Sequence, residues 1–403
     1  MIRTLLLFSF LHFAFFQGNS QEMLFNVSYD TTIVTGAERV NSYLGKLKGK
    51  RVAIVANQTS FIKNVHIVDS LLSLGVDVKK VFSPEHGFRG NASAGEHVKS
   101  STDVKTGLPL VSLYGKNKKP SAEQLSDIDV VIFDIQDVGA RFYTYISTMH
   151  YVMEACAENN KKVLILDRPN PNGFYVDGPI LEEKYKSFVG MHPIPVVHGL
   201  TVGELAYMIQ GEGWLKGNVK CDFEVVNCLN YSHKDYYKLP IAPSPNLPNM
   251  SSVYLYPSIC FFEGTSVSVG RGTDLPFQVI GSPYISKTTF SFTPKPNVGS
   301  KSPKYKGEVC NGYDLSVFGL LYIRNTQELY LHWLIGMKEK TKGNDFITRA
   351  SFFDLLAGTN KLRLQIEKGE SIETIHNSWS SDLEEYMKMR AQYLMYEDFS
   401  KLN

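Results

Sequence analysis

Where an apolar run ends, Phe82-Ser83-Pro84-Glu85-His86-Gly87-Phe88-Arg89-Gly90 places a carboxylate, an imidazole and guanidinium chemistry within one short loop. The run before it reads as a buried parallel strand, and open α/β sheets bind ligands at the carboxyl ends of such strands. Packing alone gives little reason for that loop, which points to an enzyme acting on a polar small molecule. Two later runs end alike. One continues into Asp134-Ile135-Gln136-Asp137-Val138-Gly139-Ala140-Arg141-Phe142-Tyr143-Thr144-Tyr145, the other into Asp167-Arg168-Pro169-Asn170-Pro171-Asn172-Gly173. On one edge of a parallel sheet Glu85, Asp137, Arg141, Arg168 and Asn170 would share a cleft suited to a hydroxylated ligand. Taken singly, each is as readily an ion pair or a turn cap.

Further along, Glu263 sits in Tyr256-Pro257-Ser258-Ile259-Cys260-Phe261-Phe262-Glu263-Gly264-Thr265, a carboxylate in aromatic surroundings. That setting suits a general acid, though a surface turn explains it equally. Glu204 stands three residues after Thr201 and reads as half of a capping box. His86 and His97, with Glu85 and Glu96, match no helical His motif, so no metal is expected. Neither Gly-x-Gly-x-x-Gly nor Gly-x-x-x-x-Gly-Lys-Ser/Thr follows the first strand, and no cofactor is expected. A Gly-x-Ser-x-Gly elbow is also missing, which removes the commonest serine hydrolase.

The elements that must position these residues alternate. Residues 51–57, 76–82, 129–135 and 162–167 read as strands, and 195–197 as a fifth. Helical spacing fills 64–74, 144–159 and 201–210 between them. Such alternation means βαβ units and a Rossmann-like parallel sheet. Prolines then cluster over 239–249, where a domain boundary is placed. Beyond it lie a β-branched run, Ser266-Val267-Ser268-Val269, and amphipathic helices from Gln327 and from Ser371. The expectation is an α/β chain with a signal peptide over 1–20, a catalytic Rossmann-like domain over 21–240, and a smaller mixed α/β auxiliary domain over 241–403.

With 403 residues, 43% apolar and 20% charged, the chain has the composition of a globular protein long enough for two domains. A formal charge of +2 gives no field that would attract nucleic acid. Arg3, the apolar stretch Leu5 to Phe16 and the small end Gly18-Asn19-Ser20 have the form of a secretory signal, short for a membrane span. The mature protein is therefore expected to be exported, without a membrane partner. Its cysteines, Cys156, Cys221, Cys228, Cys260 and Cys310, show no zinc spacing. Cys156 reads as a buried helix residue, and Cys221 with Cys228 are near enough in sequence to bridge.

The strand-end segments recur in one order with His198-Gly199-Leu200-Thr201, Phe262-Glu263-Gly264-Thr265 and Val269-Gly270-Arg271-Gly272-Thr273. In this the chain resembles the exo-β-N-acetylmuramidases of the NamZ type, from about residue 30 to the C-terminus. The resemblance implies release of N-acetylmuramic acid from the non-reducing end of peptidoglycan fragments, in a cleft between a Rossmann-like and an auxiliary domain. It also implies Glu85 as the catalytic carboxylate. Its partner would be Glu263, Asp137 or the substrate's own acetamido group. Arg141, Arg168 or Arg271 would pair with the lactyl carboxylate of muramic acid, since a guanidinium fork fits a carboxylate. Gln136, His86, Tyr143, Asn170 and Asn246 would meet hydroxyl and acetamido groups. The competing expectations are a cell-wall amidase or esterase, and an exported sugar- or muropeptide-binding protein without turnover. Export fits a periplasm best, with secretion the alternative.

Overall fold

The computed structural model describes residues 29–85, 87–88, 101–341 and 345–399. The signal-like N-terminus, His86, Glu96 and His97 lie outside the described residues. Twelve strands are β1 Arg51–Ala56, β2 Phe61–Ile62, β3 Val65–His66, β4 Asp77–Ser83, β5 Ser101–Thr102, β6 Pro109–Ser112, β7 Val130–Asp134, β8 Lys162–Leu166, β9 Phe223–Val226, β10 Val279–Ser282, β11 Phe290–Phe292 and β12 Cys310–Asp314. Seven of them form one sheet in the order β5-β6-β4-β1-β7-β8-β9, parallel throughout except for the β5–β6 edge.

Alternation along these strands divides the core. Ala53, Val55, Phe82, Val131, Phe133, Val163 and Ile165 face one side, while Val52, Ile54, Val81, Val130, Ile132, Leu164 and Leu166 face the other. Both sides of a parallel sheet are covered by its crossover segments, so its strands are apolar on both faces. Helices Ile67–Ser73, Tyr145–Glu158 and Val202–Gly211 supply much of that cover. The chain builds outward from β1 through β4 to β6, then returns to β7 and builds the opposite way. That order is the doubly wound one, with its switch point between β1 and β7 and a crevice at their carboxyl ends.

The fifth strand is Phe223–Val226, not 195–197; Val197 makes only isolated bridges, to Ala140 and to Asp177. The expected helix over 64–74 is shortened to Ile67–Ser73 because Phe61–Ile62 and Val65–His66 pair as a small hairpin. Helix Tyr145–Glu158 lies within its expected span.

The later part of the chain carries the antiparallel sheet β10-β12-β11 and a set of short helices. The β-branched run 266–269 contributes one isolated bridge, Ser268 to Gly281. A helix starts at His332 rather than Gln327, and another follows its Ser371 cap. Phe261, Phe277 and Phe353 belong to the same apolar cluster as Val131 and Phe133, so the two parts share one core. The chain end ties back to the first part: Tyr396 donates to Asp167 at 2.7 Å, and His233 N–H donates to the Glu397 carbonyl at 2.9 Å. All five cysteines are buried and free, so Cys221 and Cys228 form no bridge.

Candidate active site

Glu85 follows β4 in a turn closed by Gly87 N–H on the Pro84 carbonyl at 3.1 Å, with Gly87 at φ 76°. That backbone region favours glycine. The half-buried carboxylate accepts a 2.9 Å hydrogen bond from Thr144 Oγ1. Thr144 is the N-cap of helix Tyr145–Glu158 and makes no side-chain cap bond. Its hydroxyl serves Glu85 instead. Tyr114, beyond the end of β6, also meets Glu85, its hydroxyl pushed up to about 12 by burial and by the Glu85 charge beside it.

The loop after β7 brings Phe142, Tyr143, Thr144 and Tyr145 to the same place. Its course requires Gly139, at φ 76°, where a Cβ would meet Asn170 Oδ1 at 2.1 Å. Edge-on ring contacts join Tyr143 to Tyr145 at 4.9 Å and to Tyr256 at 5.8 Å, and Tyr143 donates to the Pro243 carbonyl at 2.8 Å. Ser244, Asn246, Leu247, Arg271 and Phe277 complete the wall from the later part of the chain. Together these groups enclose a cavity of about 80 Å³. Sites for whole small ligands are several times larger, so this one seats one end of a ligand and leaves the rest outside.

Arg271 gives the cavity its positive charge. It lies between Gly270 and Gly272, at φ 75° and 80°, in a turn that presents the side chain. Its Nε donates to Glu263 Oε1 at 3.1 Å, and its guanidinium sits 4.8 Å from the Phe277 ring centre. Glu263, at the end of a short 3-10 turn, is thus the holder of Arg271 and does not line the cavity.

The remaining sequence candidates fall elsewhere. Arg168 grips Asp134 through Nε and Nη2 at 2.7 and 3.0 Å and donates to the Phe61 carbonyl. Arg141 is fully buried and donates to the carbonyls of Pro179, Ile194 and Leu356; burial without an acid partner lowers it to about 9. Both guanidiniums are engaged by the fold, although Arg141 Nε has no hydrogen-bond partner among the described residues. Asn170 donates to the Leu200 carbonyl and accepts from Asn172 N–H, while Gln136 donates to the carbonyls of Asp137 and Pro169. Asn246 lines the cavity and donates to the Gly299 carbonyl at 2.7 Å.

Asp137 is buried behind the aromatic wall, and burial pushes its carboxyl up to about 7, against the pull of the Gly139 and Val138 N–H groups. Oδ2 accepts from Gly139 at 2.7 Å and lies 3.9 Å from His198 Nε2, while Oδ1 has no hydrogen-bond partner among the described residues. The structure therefore gathers Glu85, Tyr143, Asn246 and Arg271, and leaves Arg141, Arg168, Asn170, Gln136, Glu263 and Asp137 outside the cavity lining. Among the described residues no three His, Cys, Asp or Glu side chains are grouped to hold a metal. Sequence reasoning passed over Tyr114, Thr144, Tyr145, Tyr256 and Phe277. Thr144 and Tyr145 end the segment that follows the third strand, and Tyr256 opens the segment that holds Glu263, so those three carried a signal in the sequence.

The exo-β-N-acetylmuramidase NamZ N-terminal domain family matches residues 52–251, and the C-terminal domain family of the same enzymes matches residues 254–396. Among curated proteins, the peptidoglycan β-N-acetylmuramidase NamZ of Bacillus subtilis (strain 168) is 41% identical over 382 residues, covering 88% of this chain and 89% of that protein. A crystal structure of a DUF1343 family protein from Bacteroides fragilis NCTC 9343 superposes with a TM-score of 0.84 at 48% identity, over 91% of this chain and 99% of the other. A second DUF1343 family protein from the same organism gives 0.75 at 31% identity, with the same coverage of both chains.

Proposed function

The chain belongs to the NamZ family of exo-β-N-acetylmuramidases, matched in both of its parts, and we propose that its Glu85 cavity is where it acts. The enzyme is a glycoside hydrolase of peptidoglycan turnover that releases N-acetylmuramic acid from the non-reducing end of peptidoglycan fragments. One observation carries the siting of that activity: Glu85 and Arg271 line a single cavity, small enough to take the end of a saccharide.

Muramic acid differs from glucosamine by a lactyl ether that carries a carboxylate. Arg271 offers a guanidinium to that group, with Glu263 and Phe277 fixing its direction. Glu85, steadied by Thr144 and Tyr114, protonates the leaving oxygen as the glycosidic bond breaks. Among the described residues Glu85 is the carboxylate on the cavity wall, since Glu263 is paired to Arg271 and Asp137 is set behind the rings. The nucleophile is then the substrate's own acetamido oxygen. It bonds to C1 as the leaving oxygen takes the Glu85 proton, and water later opens the ring while returning a proton to Glu85.

Export before action is part of this proposal, to a periplasm first and to the medium otherwise. The charged and apolar N-terminal stretch supports it. The test of the whole reading is release of nitrophenol from 4-nitrophenyl β-N-acetylmuramide, run beside the N-acetylglucosaminide. Turnover of the muramide alone is expected. Folded protein that releases neither chromophore, while binding muropeptide or cutting an amide, would replace this reading with the binding-protein or amidase one.

A further inference from the structure

Tyr145 is 1% exposed and lines the cavity with Glu85, yet its hydroxyl oxygen reaches no hydrogen-bond partner of proper geometry among the described residues. Buried hydroxyls are nearly always satisfied, and one left without a partner destabilises the fold. Tyr143 and Asn57 are its polar neighbours, close enough to act on the phenol, yet neither completes a hydrogen bond of full geometry with it. Tyr143 spends its own hydroxyl on the Pro243 carbonyl, at 2.8 Å. Asn57, just past β1, accepts from Thr59 Oγ1 on its Oδ1 at 2.6 Å, and its buried Nδ2 lies beside the phenol without a hydrogen bond of full geometry. Thr144 and Tyr114 address Glu85. A phenol and an amide without full hydrogen bonds therefore lie at the carboxyl end of the central strand, the phenol in the cavity with Glu85.

Both are held rigidly. Tyr145 is the first residue of its helix, with its ring 4.9 Å from that of Tyr143. Burial and the Glu85 charge keep its phenol protonated, so at neutral pH it is a donor. A fixed donor in a closed site stabilises charge that develops on a reacting oxygen, because nothing has to reorganise when the charge appears.

We propose that Tyr145 is a second catalytic residue of this site, its hydroxyl donating a hydrogen bond to an oxygen of the bound sugar beside Glu85. This rests on the Glu85 cavity being the glycosidase site. The Asn57 amide adjoins this phenol from the β1 side and does not line the cavity.

Tyr145→Phe removes one oxygen and nothing else. With the nitrophenyl muramide, its kcat is expected to fall about 10- to 100-fold while KM moves less than about 3-fold, as for removal of a donor used in the transition state. Its melting temperature should equal or exceed that of the parent, because an unsatisfied hydroxyl has gone. Tyr143→Phe serves as the contrast: it loses the Pro243 bond and should melt lower. A kcat for Tyr145→Phe within twofold of the parent, beside an inactive Glu85→Gln, overturns the proposal for Tyr145 alone. Full turnover by Glu85→Gln overturns the reading of the cavity itself.

Discussion

Nε of Arg271 donates to Oε1 of Glu263 across 3.1 Å, and the same guanidinium rests over the Phe277 ring. The side chain is thereby fixed at one end while it lines the cavity. Arg271→Met should lower kcat/KM on the muramide about 10- to 100-fold, the loss of one charge-assisted pair of about 1.5–3 kcal/mol. The glucosaminide has no lactyl carboxylate, so any residual turnover of it should be unaffected. Glu263→Gln keeps the shape but loosens the aim, and a loss of several-fold, mostly in KM, is expected. Steady-state kinetics on the two chromogenic substrates measure all of this, and equal losses on both would remove Arg271 from carboxylate recognition.

Glu85→Gln preserves the hydrogen bond from Thr144 and removes the proton that a leaving oxygen needs. A fall in kcat of about 10²–10⁴ is expected, the usual range for general acid–base catalysis. Its melting temperature should stay close to that of the parent, since the group is half-buried and its neighbours keep a partner. A muramic acid thiazoline, which resembles the cyclised acetamido intermediate, should inhibit the parent competitively. Failure to inhibit would remove the acetamido group as nucleophile and reopen the search for a second carboxylate.

Strands β1, β4, β7 and β8 are legible in the sequence because each is buried on both faces, and a run such as Val130-Val131-Ile132-Phe133 has no other home. Edge strand β9 is not, because only its last residue is buried and Glu224 pairs with Lys46 and Lys162. The run 195–197 deceives for the opposite reason: it is apolar because it crosses a buried seam. Glu85 and Arg271 stand out because loop glycines and strand ends announce them. Arg141 and Arg168 stand out equally and are structural. Nothing local separates a guanidinium aimed at a ligand from one aimed at three carbonyls or at Asp134, since those partners come from distant segments. Tyr114 is silent for the same reason, becoming a site residue only when β6 pairs beside β4.

The role of Arg141 leads to a stability effect. It draws together the carbonyls of Pro179, Ile194 and Leu356, and Gly358 exists where a Cβ would stand 2.5 Å from its Nη2. Arg141→Met would strand the carbonyls of Pro179 and Leu356 in the interior, while that of Ile194 keeps the Leu181 N–H, at a cost of about 1–3 kcal/mol for each one left without a partner. Chemical denaturation should show a loss of at least about 2 kcal/mol on the same basis. The KM of the molecules that remain folded should be unchanged, because Arg141 does not line the cavity. A variant of parental stability whose KM alone has risen would place Arg141 with the substrate after all.

Asp137 makes the fold sensitive to pH in the direction opposite to most carboxylates. Burial raises its carboxyl from the ordinary 3.8 to about 7, so between those values the native state holds a proton that the unfolded chain has lost. Stability changes with pH as the proton number of the unfolded state minus that of the native state. For this group the difference is negative across the window, and its contribution falls as pH rises from about 4 towards 7. Above 7 the native state must carry the buried charge with only the Gly139 and Val138 N–H groups to favour it, and with no hydrogen-bond partner on Oδ1 among the described residues. Asp137→Asn abolishes that titration while leaving an oxygen for Gly139. Melting the two proteins side by side should give a variant whose advantage is greatest near pH 8 and shrinks steadily towards pH 4. Asp167 is also raised by burial, to about 6, and adds a similar slope to both proteins, so the difference between them isolates Asp137. A difference that stays constant from pH 4 to pH 8 would mean that the Asp137 proton is not linked to folding.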